Sequence, residues 1–254
     1  MKKIITYTNS NGLSMTFGYK KPYLLEKIDC CSGDAVIIAE SLAGCSGQIT
    51  IDKKMPGKPI QLDLSVVLPG LDAETIENRL QYIRSLFDPM LSGVLTVRTP
   101  STYYTIDCYS LQSVLPEKQA ANYKYNFHIN LKSDSAYFKK GAPVTKVITS
   151  STYSINSDSV PDVPMIITFP SGYSGLFTVR GRSITLRTLP SAAILNTENM
   201  SLLDELGNDM SQYYSINSAV DKLRLRYGTN SIATTLSSGQ SITVQFYDLS
   251  GGVP

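Results

Sequence analysis

The sequence predicts a mainly β protein with one prominent α-helix, arranged as two domains. Apolar and polar residues alternate with a period of two over most of the chain, which is typical of half-buried strands. One segment alone has a helical period. The length of 254 residues suits two domains, at roughly 100–200 residues each.

The first half of the chain contains a series of strand patterns. Residues 1–7 begin with positive charge but lack the apolar core and cleavage site of a signal peptide, so we interpret them as a first strand. The spacing of the later segments is that of an antiparallel meander. These segments lie at residues 48–52, 61–68, 93–98, 103–109 and 123–131.

Residues 72–87 carry the helical pattern. Their apolar residues recur at i, i+4, i+7 and i+11, which places them on one face of a helix. Asp72 is a suitable N-cap, and Asp88-Pro89 ends the helix because a residue before proline avoids the α region. The apolar face consists of Ile76, Leu80, Ile83 and Phe87.

Turn-forming residues accumulate between residues 139 and 164, which predicts a connection between two domains, 1–140 and 141–254. Short strand patterns return after it and predict an all-β sandwich. One helical turn is predicted at residues 200–206. The strand patterns lie at residues 165–169, 175–179, 183–186, 223–227 and 240–247.

The composition argues against several classes of protein. A net charge of +2 without a basic stripe argues against nucleic-acid recognition, and no apolar run is long enough for a membrane span. The cysteines fit neither a zinc site nor a secreted disulfide framework, which favours buried free thiols over a disulfide or a metal site. Without an export signal, we expect synthesis and assembly in a cytoplasm. The cysteines are Cys30, Cys31, Cys45 and Cys108.

No catalytic, cofactor-binding or metal-binding pattern is evident, so we expect a protein that is not an enzyme. His128 is the only histidine and lies in a predicted strand, with no nucleophile or metal ligand suggested beside it. Residues 43–47 are rich in glycine but lack the Lys-Ser/Thr ending of a phosphate loop. Glycosidase chemistry needs two converging carboxylates, and a pair assembled across the fold stays open. The nearest groupings are Asp204 with Glu205, and Glu74 with Glu77.

The pattern resembles the distal tail proteins of siphophages. A helix at residues 71–83 followed by strands at 93–97 and 103–109 is similar to the family's belt domain. Residues 223–232 and 242–247 are similar to the family's closing strands, with Tyr227 where the family usually has proline. The resemblance covers nearly the whole chain and implies an N-terminal belt-like β domain and a C-terminal galectin-like β-sandwich.

The resemblance also implies a structural virion protein at the tip of a phage tail. It implies a homohexameric ring that joins the tail tube protein to a tail-associated fibre or lysin protein for host adsorption. The galectin-like domains would dock receptor-binding proteins. We place the inter-subunit surface on the helix and on the strand at 123–131, at Ile76, Leu80, Ile83, Phe87, Tyr123, Tyr125 and Phe127.

Three alternatives stay open. The chain could form the equivalent hub of a contractile tail or of a phage-derived bacteriocin. It could be an enzyme that hydrolyses cell-wall polymers with paired carboxylates. It could also be a carbohydrate-binding module, which needs an exposed aromatic platform in the second domain. The candidates for this platform are Tyr173, Phe177, Tyr213 and Tyr214.

Overall fold

In the computed structural model the chain forms two compact units. The structure describes residues 3–30, 36–41, 48–54, 57–119, 123–159, 162–215, 220–251 and 253. The first unit comprises Met1–Lys139 together with Gly251–Pro254, and the second comprises Lys140–Ser250. The sequence patterns put the boundary between residues 140 and 141, but they did not indicate that the end of the chain returns to the first unit.

The strands of the first unit follow a path that closes on itself. The order is β3-β6-β10-β8-β7-β1-β2, with every neighbouring pair antiparallel and β9 added to β10. Gly18 and Leu24 form a parallel bridge that brings β2 and β3 together, while β4 and β5 form a separate hairpin. The strands are β1 (Ile4–Asn9), β2 (Ser14–Phe17), β3 (Tyr23–Asp29), β4 (Val36–Ser41), β5 (Gln48–Lys54), β6 (Lys58–Val67), β7 (Ser92–Arg98), β8 (Tyr103–Ser110), β9 (Glu117–Gln119) and β10 (Lys124–Ser133).

The predicted helix is α1 (Ala73–Leu86), which packs against the core of the first unit. Asp72 is its N-cap, and the carboxylate Oδ1 accepts a hydrogen bond of 2.8 Å from the Thr75 amide. Phe87 follows the helix and stacks on Tyr7, with ring centroids 4.7 Å apart. Among the described residues, no helix has the length and apolar character needed to cross a bilayer.

The second unit consists of two sheets that share one core. One sheet has the order β17-β16-β13-β19-β11, and the other has the order β12-β18-β14-β15. Phe169, Tyr173 and Phe177 form an aromatic cluster between them. This sandwich and the sheets of the first unit confirm the prediction of a mainly β fold. The strands are β11 (Phe138–Ile148), which enters from the first unit, β12 (Thr152–Ser157), β13 (Ile166–Phe169), β14 (Gly175–Val179), β15 (Arg182–Leu186), β16 (Ala193–Asn196), β17 (Ser201–Asp204), β18 (Gly228–Thr234) and β19 (Ile242–Ser250).

The predicted connection at residues 139–164 contains the strands β11 and β12. Between residues 139 and 157, Ile148 and Ile155 are the apolar residues of these strands that are buried in the second core, while Val147 is 52% exposed. Two isolated apolar residues are too few for the alternating pattern to be recognised in the sequence.

Two further predictions are wrong in the second unit. Residues 200–206 contain the strand β17 instead of a helical turn, because pairing with β16 places Leu202 in the core opposite Leu195. Residues 223–227 do not form a strand, since only Leu225 makes a bridge, to Val163. Local alternation of apolar and polar residues predicts which side of a segment is buried. It does not predict whether a neighbouring strand is available for pairing.

Candidate assembly surfaces and a basic pocket

The apolar face of α1 lies in the core of the first unit. Leu80, Ile83 and Phe87 are buried against the sheet, so their side chains do not form the inter-subunit surface that the sequence suggested. Ile76 is only partly buried at the edge of the same core. The helical pattern of apolar residues therefore reflects packing of α1 against the core of its own unit.

The residues predicted on β10 divide in the same way. Tyr125 and Phe127 point into the core of the first unit, whereas Tyr123 is 57% exposed just before the strand. Tyr123 has a φ of 48°, in the left-handed region that non-glycine residues rarely adopt. Tyr123 and Ile76 are the two members of the predicted surface that keep accessible side-chain area.

Two grooves on the first unit share Tyr23, and the larger of them is also lined by residues of α1. The larger has a volume of about 440 Å³ and includes Met15 and Arg79, and the smaller has a volume of about 330 Å³ and includes Tyr19. The Tyr82 hydroxyl donates a hydrogen bond of 3.1 Å to the Ser14 carbonyl, which ties the helix to β2 at this place. We refer to these two cavities as the helix-side groove.

Other large apolar side chains of the first unit are exposed in loops and on outward strand positions. Met90 is 88% exposed and Leu115 is 72% exposed. Single exposed apolar residues are common on monomeric proteins, so the exposure of these residues does not by itself identify an interface. The others are Tyr19, Val94, Tyr103, Leu111 and Tyr123.

His128 lies on the outward face of β10 between two carboxylates. Its Nδ1 is 2.8 Å from Asp63 Oδ1, and its Nε2 is 3.7 Å from Glu117 Oε2. The hydrogen bond to Asp63 raises the pKa of the imidazole above its ordinary value. The three side chains are exposed and form a surface charge cluster across neighbouring strands.

Two of the four cysteines, Cys30 and Cys108, lie within the described residues. Cys108 is buried, and burial raises the pKa of its thiol to about 12, which disfavours the reactive thiolate. Cys30 is partly buried. Cys31 and Cys45 lie outside the described residues. Within the described part of the chain, no three His, Cys, Asp or Glu side chains are grouped as metal ligands.

The carboxylate groupings from the sequence have structural partners. Asp204 accepts hydrogen bonds of 2.9 Å from the Leu206 amide and 2.8 Å from the Asn208 amide, and bonds from Asn208 lower its pKa. Glu77 pairs with Arg84 at 3.0 Å along the helix. Both carboxylates are thus engaged in local structure.

The aromatic platform proposed for sugar binding is not assembled. Tyr173 and Phe177 are in the core of the second unit, and Tyr213 and Tyr214 are partly buried against it. Sugar stacking requires an exposed ring face, which the two core residues do not offer.

A basic pocket in the second unit was not found from the sequence. It has a volume of about 330 Å³, and five cationic side chains line it together with one described carboxylate. Signals were present in the sequence, because Gly181 between two strand patterns indicates a turn with arginines on both sides, and alternate residues of Leu-Arg-Leu-Arg share a side of an extended chain. The lining residues are Asp162, Val179, Arg180, Arg182, Lys222, Arg224 and Arg226.

The comparisons with known proteins rest on structure. No family model matches this sequence, and no curated protein matches it. The Dit protein of phage SPP1, described as a paradigm of the hub adsorption apparatus in phages that infect Gram-positive bacteria, is similar with a TM-score of 0.70. The two chains are 12% identical, and the match covers 97% of this chain and 99% of the SPP1 chain.

Chains from the phage P2 baseplate in its activated conformation, with Ca and with Sr, match at TM-scores of 0.47 and 0.46. Each is 11% identical and is covered over its full length. The SPP1 match extends over both units, which confirms at the level of fold the resemblance seen in the sequence. The chain therefore has the fold of a phage distal tail hub protein.

Proposed function

We propose that this chain is the structural hub subunit of a phage tail. In this proposal six copies close into a ring at the distal end of the tail, and the first unit builds the ring. The observation that carries the proposal is the similarity to the SPP1 Dit protein over 97% of the chain. The proposal is thus an analogy at the level of fold, which extends over both units.

The proposed ring would use surfaces of the first unit. A ring requires two different patches that fit each other and a rotation that closes. The helix-side groove offers a concave patch that includes Met15, Tyr23 and Arg79. Exposed side chains such as Met90 and Leu115 offer apolar area that a neighbouring subunit could cover.

We further propose the partners that a hub requires. The ring would join the tail tube protein on one side and a tail-associated fibre or lysin protein on the other. The second unit would dock receptor-binding proteins, and the assembled particle would carry the chain as a virion protein of the tail tip, assembled in the host cytoplasm.

The chain is proposed to act without catalysis of its own. His128 sits in an exposed charge cluster, and Asp204 is held by its own turn. Incubation of the purified protein with peptidoglycan should release no soluble fragments, with a muramidase as the positive control. Release that disappears on replacing two acidic residues would contradict this part of the proposal.

Size-exclusion chromatography with light scattering tests the ring. We expect a mass near six times 27.8 kDa at micromolar concentration, with interfaces of about 2,000 Å² or more. Arg79→Glu reverses a charge in the helix-side groove and should weaken assembly. Arg98→Glu makes the same change on an exposed residue at the end of β7 and serves as the matched control. A stable monomer of the unmodified chain would overturn the ring.

A further inference from the structure

The basic pocket concentrates charge beyond what the composition of the second unit suggests. Residues 140–250 contain eight Lys and Arg and eight Asp and Glu, so the unit is neutral as a whole. Five of the eight cations nevertheless line one cavity of about 330 Å³. Like charges held together raise the free energy of the fold unless an anion compensates them, so such a cluster indicates a ligand.

The backbone holds one side of the pocket in place. Arg180 and Gly181 form the two-residue turn between β14 and β15, both with positive φ, as in tight hairpin turns. The Arg180 amide donates a hydrogen bond of 2.9 Å to the Ser231 carbonyl, which fixes the turn to β18. The side chains of Arg180 and Arg182 are exposed, and no described residue pairs with either.

The other side of the pocket is held by the bridge between Leu225 and Val163. Leu223 and Leu225 are buried, so the alternate residues Arg224 and Arg226 face away from the core. This extended segment thereby presents two guanidinium groups to the same cavity.

Both of these arginines are positioned by neighbouring residues. Arg224 donates a hydrogen bond of 3.0 Å to the buried Thr197 hydroxyl, and Arg226 Nε is 3.1 Å from Asp162 Oδ1. The buried Asn230 side chain also bonds both the amide and the carbonyl of Arg226, each at 2.8 Å. A site with fixed donors loses little conformational freedom on binding.

We propose that this pocket is a binding site for phosphate groups, and specifically for phosphate esters of small organic units. Guanidinium groups present planar pairs of donors that match phosphate oxygens. Asp162 already supplies one carboxylate for Arg226, and the exposed side chains of Arg180 and Arg182 leave positive charge that suits a group with more than one negative charge. The volume suits a phosphate with a small attached unit, because ligand pockets begin at about 300 Å³. Among the described lining residues there is no aromatic ring on which a nucleic-acid base could stack.

Isothermal titration of the full chain tests this site with inorganic phosphate, glycerol phosphate and a glycerol phosphate oligomer. We expect binding of phosphate compounds, and tighter binding of the oligomer would identify a phosphate polymer as the source of the ligand. The double variant Arg182→Gln with Lys222→Gln should weaken binding by about tenfold or more, because it removes two charge-assisted contacts. Both side chains are exposed, so the variant should fold, which a urea unfolding curve checks.

The matched control is Lys146→Gln with Arg187→Gln, which removes the same charge from exposed positions of the same unit outside the pocket. This control should bind phosphate like the unmodified chain. Equal weakening by both double variants would overturn the proposal, as would no binding up to about 10 mM phosphate. Acetate, a tetraglutamate peptide or oligothymidine binding as tightly as glycerol phosphate at equal ionic strength would also overturn it. None of these outcomes depends on whether the chain forms a ring.

Discussion

In the first unit several basic side chains pair singly with acidic ones, whereas in the second unit five of the eight Lys and Arg line one pocket. The first unit pairs Lys124 with Glu26 at 2.8 Å and Lys139 with Asp107 at 3.2 Å. Residues 1–139 contain 15 Lys and Arg and 13 Asp and Glu, so both units are close to neutral. Net charge therefore does not distinguish them, and only the placement of the charges does. Paired charge favours contact with neutral surfaces, and gathered charge favours an anion.

Each core contains one fully buried tyrosine, and the two hydroxyl groups are bonded differently. Tyr7 and Tyr173 each belong to a buried aromatic cluster, and burial raises the pKa of both phenols. The Tyr173 hydroxyl is 2.9 Å from the Thr234 hydroxyl and donates to the Leu176 carbonyl at 2.8 Å. The Tyr7 hydroxyl has no hydrogen-bond partner among the described residues. Burying the unpaired Tyr7 hydroxyl costs free energy, whereas the Tyr173 hydroxyl is stabilised by its two hydrogen bonds. The Tyr214 hydroxyl, which packs against the second core, also has no partner among the described residues.

Each unit also contains one buried asparagine that makes four hydrogen bonds. Asn9 donates to the Ser85 and Leu86 carbonyls at the end of α1, and it accepts from the Asn11 and Leu13 amides. Asn230 makes its bonds around Arg226, beside the basic pocket. The same side chain thus fixes a helix end in one unit and a binding segment in the other.

The largest expected effect tests whether the helix face belongs to the core. Ile83→Ala should lower the free energy of unfolding by about 3 kcal/mol, because it empties a fully buried position. Ile76→Ala should cost much less, since that side chain is only partly buried. Urea unfolding at one fixed protein concentration measures both. Equal small losses with a loss of assembly would instead favour the interface predicted from the sequence.

The asparagines allow a direct comparison of the two units. Asn9→Ala and Asn230→Ala should each lower the free energy of unfolding by about 2 kcal/mol, because each leaves buried backbone groups unpaired. Only Asn230→Ala should also weaken phosphate binding, since it releases Arg226. Titration of both variants with glycerol phosphate measures the difference. Equal affinities would show that Asn230 does not contribute to phosphate binding in the pocket.

The tyrosines should respond differently to loss of the hydroxyl. Tyr173→Phe should lower the free energy of unfolding by about 1 kcal/mol, because it breaks bonds to Thr234 and Leu176. Tyr7→Phe should leave stability unchanged or slightly raised. Thermal and urea unfolding of the two variants measure the difference. A loss on Tyr7→Phe as large as that on Tyr173→Phe would contradict the assignment of an unpaired hydroxyl.

The smallest expected effect is the pH dependence of the His128 pair. The pKa of His128 is raised in the folded state, so its contribution is complete below the ordinary value of 6.5 and is lost as pH rises through the folded pKa. The side chain is 60% exposed, so solvent screening limits the effect to a few tenths of a kcal/mol. His128→Gln should remove this decline in stability between about pH 6 and 8. A decline of the same size in the variant would assign it to another group.

The sequence by itself determined the elements whose pattern depends only on neighbours along the chain. The N-cap at Asp72 follows from local hydrogen bonding and the end of the helix near Phe87 from the proline at position 89, and the structure has both at those residues. The strong strand patterns also match β6, β7, β8 and β10, because alternation directly encodes one buried face.

Only the tertiary structure decided what each apolar face is buried against. Periodicity shows that the side chains of Leu80 and Ile83 are buried, but it does not show where, because a core and a subunit interface both remove apolar surface from water. The basic pocket likewise required long-range contacts, since the bond from Arg180 to Ser231 and the bridge from Val163 to Leu225 join segments far apart in the chain. The second unit is neutral as a whole, so its composition gave no signal of that gathering of charge. Electrostatic function depends on distance in space, and the sequence specifies distance only along the chain.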